Sequence, residues 1–353
     1  MKETEGTDSA TADAYVYGAA SVRPAPVGLW ARLKYLGPAV IISGSIVGSG
    51  ELILTSSLGA AAGFVLFWWV ILACASKSIV QAELTRYVIV SGDTYLRALN
   101  RLPGTLPGPD GPVAWPIWLQ LLMFFPSAIG IGGIMGGAGE ALSLLVPVIN
   151  PVWGTVAVTV ATILILTFGN YGRLELLMMI LVGVFTIVTI VSAISLQFTP
   201  MAMDGNDVAT ALSFDFPIEH LALALAVYGF TGVNAGEIGP YTYWCVEKGY
   251  PAYIGPDSSD RDWLERARGW IRVVQMDVLL TLLIVICATI PFYILGAGVL
   301  HAAGRMPEGL NVVSVLSGMF TDTLGPWAYW LFVIGAFSIL FSTAIAGVAG
   351  GSR

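Results

Sequence analysis

The chain has 353 residues, of which 56% are hydrophobic and only 11% are charged. Soluble domains carry roughly 25% charged residues, so this composition excludes a water-soluble globular protein. The net charge of −7 and the lack of any Lys- or Arg-rich run exclude nucleic acid as a partner. The three cysteines have neither C-x-x-C spacing nor neighbouring histidines, which argues against both a zinc site and a disulfide.

Eight apolar segments, bounded by polar or Pro- and Gly-rich stretches, predict eight membrane spans. About 20 apolar residues cross a bilayer, and each segment has about this length or more. The predicted spans cover residues 37–60, 64–90, 115–147, 151–169, 174–198, 220–245, 273–300 and 327–350. We therefore predict a multi-pass protein of the lipid bilayer, with residues 1–35 as a polar cytoplasmic tail.

The distribution of basic residues predicts the orientation in the membrane. With the N-terminus inside, fourteen of the sixteen Lys and Arg residues lie on inner segments or inner span ends, and the outer loops hold only Arg305. Short loops rich in Lys and Arg stay in the cytoplasm, so one orientation is strongly favoured. We expect an inner (plasma) membrane protein with a cytoplasmic N-terminus.

The first and sixth predicted spans are both interrupted by glycine and polar residues. Residues 47–51 read Val-Gly-Ser-Gly-Glu and residues 233–237 read Val-Asn-Ala-Gly-Glu, so Glu51 and Glu237 occupy matching places. Each glycine costs a helix about 1 kcal/mol, and a glutamate in hydrocarbon costs more unless it faces a partner or a polar cavity. Paired interruptions in the two halves of an inverted repeat mark the central site of many transporters.

Two explanations of the matched glutamates are open. In one, each carboxylate only caps the second half of its helix, where the positive end of the helix dipole favours it. In the other, Glu51 and Glu237 bind a cation together with unwound backbone at Gly48 and the side chains of Ser49 and Asn234. Two carboxylates close together would need a counter-cation or a shared proton.

Several further motifs give the chain a resemblance to the natural resistance-associated macrophage protein (Nramp) family of divalent metal transporters. They lie at span ends and in the loops that follow: Leu36–Pro38, Gln81–Leu84, Val90–Thr94, Met276–Val278, Leu300–Gly304 and Leu324–Pro326. The resemblance implies an all-α, LeuT-like bundle of two inverted five-helix repeats. Residues 36–200 would form the first repeat, and residues 201–353 would form three helices of the second, so we expect a truncated protein or fragment.

The departures from the family pattern fall on its metal site. The family's Asp-Pro-Gly-Asn stands here as Gly48-Ser49-Gly50-Glu51, and its sixth-span Met-Pro-His has no counterpart. In lacking that soft ligand the chain resembles the magnesium-transporting relatives. Carboxylate and carbonyl oxygens suit hard cations, so we predict Mg²⁺ or Mn²⁺ as the transported substrate. No cofactor is implied, and the coupling ion is either a proton or absent.

The sequence thus predicts a secondary-active transporter of divalent cations rather than an enzyme. No ATP-binding Gly-x-x-x-x-Gly-Lys motif occurs, so an ion gradient would drive transport. The alternatives are a LeuT-like symporter of an organic substrate, whose carboxylate the two glutamates would repel, and an inactive fragment of a transporter.

Three other polar residues in or near predicted spans have open roles. Asp277, near the inner end of the seventh span, belongs either to an inner gate or proton path or to a structural cap. Glu140 is either a cap or a charge in the outer vestibule. His301 lies at an outer span end, where a part in proton relay is not favoured.

Overall fold

The computed structural model describes residues 22–36, 48–109, 111–168, 171–255, 261–307 and 309–351. Within these ranges most residues are helical, and the strands are a single antiparallel hairpin of β1 (Thr105–Gly108) and β2 (Gly111–Ala114). The predicted all-α class is confirmed apart from this hairpin. The tail up to residue 21 and the first half of the first span, residues 37–47, lie outside the described residues.

The α-helices follow one another with short connections. In chain order they are α1 (Leu29–Leu33), α2 (Ser56–Ala62), α3 (Phe67–Ser91), α4 (Tyr95–Asn100), α5 (Trp115–Leu145), α6 (Pro151–Phe168), α7 (Tyr171–Ser195), α8 (Gly205–Ala211), α9 (Leu221–Phe230), α10 (Ala235–Glu247), α11 (Tyr250–Ile254), α12 (Trp263–Leu295), α13 (Val312–Leu324) and α14 (Ala328–Gly351). A π-helical turn, Gly50–Thr55, precedes α2, and a second one, Gly296–His301, continues α12.

Most of the predicted spans correspond to long helices. In the part of the chain that the structure describes, five helical segments are long and apolar enough to cross a membrane, and they match the third, fourth, fifth, seventh and eighth predicted spans. The second span forms the 25-residue α3, which has the length of a span but contains Lys77, Glu83 and Arg86. The sixth span is divided between α9 and α10, as the glycine and polar residues predicted.

Two features of the helices differ from the sequence prediction. Helix α12 begins at Trp263, ten residues before the predicted start at 273. The apolar pattern misses these residues because the first turns of the helix are amphipathic and charged. The loop after the seventh span contains α13, which is not among the predicted spans because its 13 residues are too few to cross a bilayer. One face of α13 is buried, with Leu316, Met319 and Phe320 fully inaccessible to solvent.

The chain divides into two compact units, each assembled from three segments. Unit one combines Ser76–Leu122 and Val233–Leu282 with the described part of Met1–Ile42. Unit two combines Met123–Gly232 and Leu283–Arg353 with the described part of Ser43–Ala75. The break of the first span and α9 therefore belong to unit two, whereas α10 belongs to unit one.

Unit two has an aromatic core and close helix contacts. Phe185, Phe320 and Phe332 pack with ring centroids 5.0–6.0 Å apart. At Gly59 an added Cβ would lie 2.5 Å from the carbonyl oxygen of Tyr293, so α2 approaches the end of α12 at backbone distance. This close approach is possible only with glycine, and it fixes the second half of the first span.

Helix α5 is rich in glycine, and at Gly139 it touches the backbone of the next helix. Gly139 of α5 lies against the backbone of Gly154 and Thr155 in α6, too close for any side chain. Gly132, Gly133 and Gly136, by contrast, have open space where a side chain would be. The contact at backbone distance therefore lies near the end of α5 and does not extend along all of its glycines.

Unit one is organised around Trp270 of α12. The ring is fully buried, contacts Tyr35, Tyr250 and Tyr253, and donates its indole N–H to the carbonyl oxygen of Arg23 at 3.1 Å. The hydroxyl of Tyr250 donates to the carbonyl oxygen of Tyr35, and burial raises the pKa of this phenol above its usual range. These contacts hold α11 and α12 against the segment before the first span.

Candidate metal-binding site at the interrupted helices

The interruption of the first span is built around Glu51. This residue lies in the π-helical turn Gly50–Thr55, a conformation that is rare and often found at functional sites. Its side chain is buried, with the residue only 1% exposed. The backbone N–H of Gly48 donates to Oε2 at 3.1 Å, and the N–H of Gly232 donates to Oε1 at 3.0 Å. Glu51 thus joins its own helix start to the break of the sixth span.

The break of the sixth span lies between α9 and α10. Residues Thr231–Asn234 leave the helical conformation, and Gly232 has φ 74°, a left-handed value that favours glycine. The predicted interruption is therefore confirmed, and the left-handed conformation explains the glycine at this position.

The two breaks meet within unit two. The hydroxyls of Thr55 and Thr231 are 2.9 Å apart, and both residues are fully buried. An added Cβ at Gly50 would lie 3.0 Å from the carbonyl oxygen of Phe230, so the last turn of α9 touches the π-helical turn. Carboxylate, hydroxyl and carbonyl oxygens are thereby gathered where two helices lose their regular hydrogen bonds.

Glu237 lies at the start of α10, and its environment differs from that of Glu51. It is the third residue of the helix and forms a capping box with Asn234, whose backbone N–H donates to Oε2 at 3.0 Å. The side chain is half-buried. Each glutamate therefore accepts the backbone N–H of the residue three positions earlier. The contact expected from the capping explanation is present at both.

The remaining predicted site residues, Gly48, Ser49 and Asn234, lie at the starts of the helical segments that follow the breaks. Gly48 supplies the N–H that Glu51 accepts, and Ser49 is buried at the start of the π-helical turn. Asn234 precedes α10 as its cap residue. In the described ranges no group of three or more His, Cys, Asp and Glu side chains has the arrangement of a metal cluster, so any metal bound here would rely on backbone and hydroxyl oxygens as well.

Asp277 is fully buried in α12, in unit one. Tyr241 of α10 donates its hydroxyl to Oδ2 of Asp277 at 2.6 Å. Because α12 begins at Trp263, Asp277 lies four turns inside the helix and cannot cap its N-terminus. The structural-cap alternative for Asp277 is therefore wrong for this helix, and the residue instead connects α10 with α12.

Glu140 is a cap, but of a helix that the sequence did not predict. Its carboxylate, 5% exposed, accepts the backbone N–H of Val313 at 3.1 Å and of Ser314 at 2.9 Å. These donors belong to the first turn of α13, whose N–H groups have no partner within the helix. The cap alternative is confirmed, because a buried carboxylate of α5 holds the start of α13.

Comparison with known proteins gives the family of the chain. It matches the natural resistance-associated macrophage protein-like family over residues 39–352. An uncharacterized protein of Pasteurella multocida (strain Pm70) is 25% identical over 331 residues, which cover 91% of this chain and 70% of that protein. The divalent metal cation transporter MntH of Mycobacterium leprae (strain TN) is 24% identical over 326 residues, or 90% of this chain and 69% of that protein.

A solved structure shares the fold. A variant of the Eremococcus coleocola manganese transporter matches with a TM-score of 0.56 at 16% identity, over 94% of this chain and 68% of that one. This likeness confirms the predicted LeuT-like transporter fold. The family match covers most of the chain and agrees with the motifs of the spans, so the protein belongs to the natural resistance-associated macrophage protein-like (Nramp) family.

Proposed function

We propose that the protein is a secondary-active transporter that carries hard divalent cations across the cytoplasmic membrane. The family match supports this function, as do two relatives, from Mycobacterium leprae and Burkholderia ambifaria, that are named divalent metal cation transporters. An intramembrane enzyme is not supported, because relatives of known function are transporters. The N-terminus and the Arg-rich segment before α12 would face the cytoplasm, as the positive-inside rule requires.

The observation that carries the proposal is the buried carboxylate of Glu51 at the meeting point of two helix breaks. A charged carboxylate in a membrane interior marks a functional site unless it is fully compensated by neighbours. The carboxylate of Glu51 accepts backbone N–H groups from the breaks of both spans. The carbonyl oxygen of Phe230 and the hydroxyls of Thr55 and Thr231 lie where the same two breaks meet, so the region offers the oxygen donors that a hard cation needs.

We propose Glu51 and Glu237 as the charged ligands of one transported ion, with Gly48, Ser49 and Asn234 around it. This pairing rests on the matching segments 47–51 and 233–237, which place the two glutamates at equivalent helix starts in spans five apart. Capping does not compete with this role, because each helix start needs an acceptor whether or not an ion is bound.

The donor set favours a hard cation as the substrate. Carboxylate, hydroxyl and carbonyl oxygens suit Mg²⁺, Ca²⁺ and Mn²⁺, whereas a thioether or thiolate would favour softer metals. We expect Mg²⁺ or Mn²⁺ to be carried without a strong preference for Cd²⁺. Cys245, two turns beyond Glu237 on α10, is a fully buried free thiol and would not contribute a soft ligand.

Asp277 would act at the cytoplasmic gate. The hydroxyl of Tyr241 donates to this buried carboxylate and so connects α10 with α12 within unit one. Loss of this bond would weaken the hold of α12 on α10. We propose that this contact belongs to the inner gate or the proton path.

Uptake into proteoliposomes tests the function. The purified protein should admit Mn²⁺ and Mg²⁺ down an imposed gradient, whereas Glu51→Gln should reduce uptake to the level of empty liposomes. Glu83→Gln is the matched control, because it also removes one carboxylate, from a half-exposed pair with Arg86, and should retain uptake. Equal uptake by the Glu51 variant and the control would refute the site, and no uptake of any divalent ion by the unaltered protein would refute the function.

A further inference from the structure

A second group of polar and sulfur-containing side chains lines a cavity in unit two, away from the helix breaks. A cavity of about 330 Å³ opens between the end of the first span, the end of the seventh span and the segment around α8. Its lining includes Gly63, Met201, Asp207, Thr210, His301 and Ala302. The topology predicted from the basic residues places this cavity on the external face of the membrane.

His301 is oriented as metal-binding histidines are. Its Nδ1 is 2.8 Å from the carbonyl oxygen of Ala60, and a carbonyl only accepts, so Nδ1 carries a proton and Nε2 carries the lone pair of the neutral imidazole. A bond from one ring nitrogen to a carbonyl is the usual support of a histidine that binds metal through the other. Nε2 lies beside Gly63, where an added Cβ would be 3.1 Å away, and Gly63 also lines the cavity.

The other donors in the cavity complement the imidazole. Asp207 accepts the backbone N–H of Asp204 through Oδ2 at 3.0 Å, which fixes the side chain and leaves Oδ1 for another contact. Met201 adds a thioether and Thr210 a hydroxyl to the same lining. The π-helical turn Gly296–His301 ends at the imidazole, and such turns recur at functional sites.

We propose that this cavity binds one first-row transition-metal ion of the Zn²⁺, Fe²⁺ or Co²⁺ type, through Nε2 of His301 and the carboxylate of Asp207. Imidazole and thioether groups select these metals over Mg²⁺, which prefers oxygen ligands and retains its water. The site is chemically distinct from the oxygen-rich region at Glu51. A bound ion would connect the end of the seventh span with the segment that carries α8.

Titration calorimetry of the purified protein with Zn²⁺ tests this site. His301→Ala and Asp207→Asn should each weaken binding by at least roughly tenfold, which is the lower end of the effect of disturbing a metal site. His220→Ala is the matched control, because it removes the other histidine of the chain, and it should leave the affinity unchanged. Glu51→Gln should also leave this Zn²⁺ binding intact, which separates the inference from the proposed transport site.

Co²⁺ provides a readout that does not depend on how well a variant binds Zn²⁺. The unaltered protein should show visible absorption bands of Co²⁺ held by a nitrogen ligand, and Asp207→Asn, a nearly isosteric change, should shift or abolish them. Zn²⁺ should also slow amide hydrogen exchange across residues 203–212. Zn²⁺ affinity that is unchanged in both cavity variants, or lost only in Glu51→Gln, would overturn the proposal.

Discussion

A glutamate near a helix start can both cap the helix and bind an ion. Glu51 and Glu237 differ in their burial and in the N–H groups that they accept. Glu51 is buried and accepts N–H groups from two chain segments, whereas Glu237 accepts the N–H of its own cap residue, Asn234. Replacing Glu51 by Gln would turn an amide NH₂ toward one of the donors, at a cost of about 1–3 kcal/mol for the unsatisfied group. A substitution of Glu51 is therefore expected to lower both the stability of the protein and its affinity for the ion.

Glu237→Gln separates these two effects. A capping box accepts Gln as well as Glu at this position, so we expect the thermal unfolding of this variant to stay close to that of the unaltered protein. Loss of one carboxylate opposite a dication should weaken Mn²⁺ binding at least about tenfold, which corresponds to 1.4 kcal/mol. Calorimetry measures the affinity. An unchanged affinity would leave Glu237 with its capping role alone.

Substitution of Gly50 by Ala tests the contact between the two breaks. In Gly50→Ala the new methyl group would lie 3.0 Å from the carbonyl oxygen of Phe230, and a backbone atom cannot rotate away. We expect a loss of about 1–3 kcal/mol in stability, as for other overpacked sites, together with weaker Mn²⁺ binding. Gly229→Ala is the control, since it lies in α9 one residue before Phe230 and has open space. Equal melting temperatures of the two variants would contradict the close contact.

At the scale of elements, periodicity and composition predicted the long helices but not the turns that shape the site. Apolar length identified spans such as 151–169, observed as α6, and glycine with polar residues located the break between α9 and α10. The π-helical form of Gly50–Thr55 and the bond from Gly232 to Glu51 depend on contacts between residues 181 positions apart. No local pattern contains that information.

Helix α13 shows the same limit of prediction from local sequence. Its 13 residues have the pattern of an amphipathic helix, with Leu316 and Phe320 buried, but are too short for a span. The start of the helix is satisfied by Glu140, a residue more than 170 positions earlier. Only the folded structure shows that a carboxylate in the third span has this role.

Substitution of Glu140 tests whether α13 depends on this cap. In Glu140→Ala the N–H groups of Val313 and Ser314 lose their acceptor inside a buried site, so the first turn of α13 should open more often. We expect faster hydrogen exchange in a peptide covering residues 311–318, measured by mass spectrometry. Glu83→Gln should leave this peptide unchanged. Exchange that is equally slow in the Glu140 variant would show that other contacts hold the helix start.

At the scale of the whole molecule, the low charge content predicted a membrane protein, and the surface of the helices agrees with it. Large apolar side chains stand exposed along α5, including Leu121, Phe125 and Ile129, which are 55–79% exposed. Soluble monomers rarely expose apolar surface so continuously, so these side chains suit contact with lipid. The sequence could not predict the division into two units of three segments each, because that division follows from which helices pack together.

Labelling of introduced cysteines tests the orientation of the whole protein. Asn206, in the first turn of α8, and Glu265, in the first turn of α12, are both exposed, and the predicted topology places them on opposite sides of the membrane. In a Cys287→Ser background, which removes the exposed native thiol, Asn206→Cys should react with an impermeant maleimide in intact cells. Glu265→Cys should react only after permeabilisation, because moving the Arg-rich segment across the membrane is unfavourable. The reverse pattern would invert the topology, and with it the side from which ions reach the breaks in the first and sixth spans.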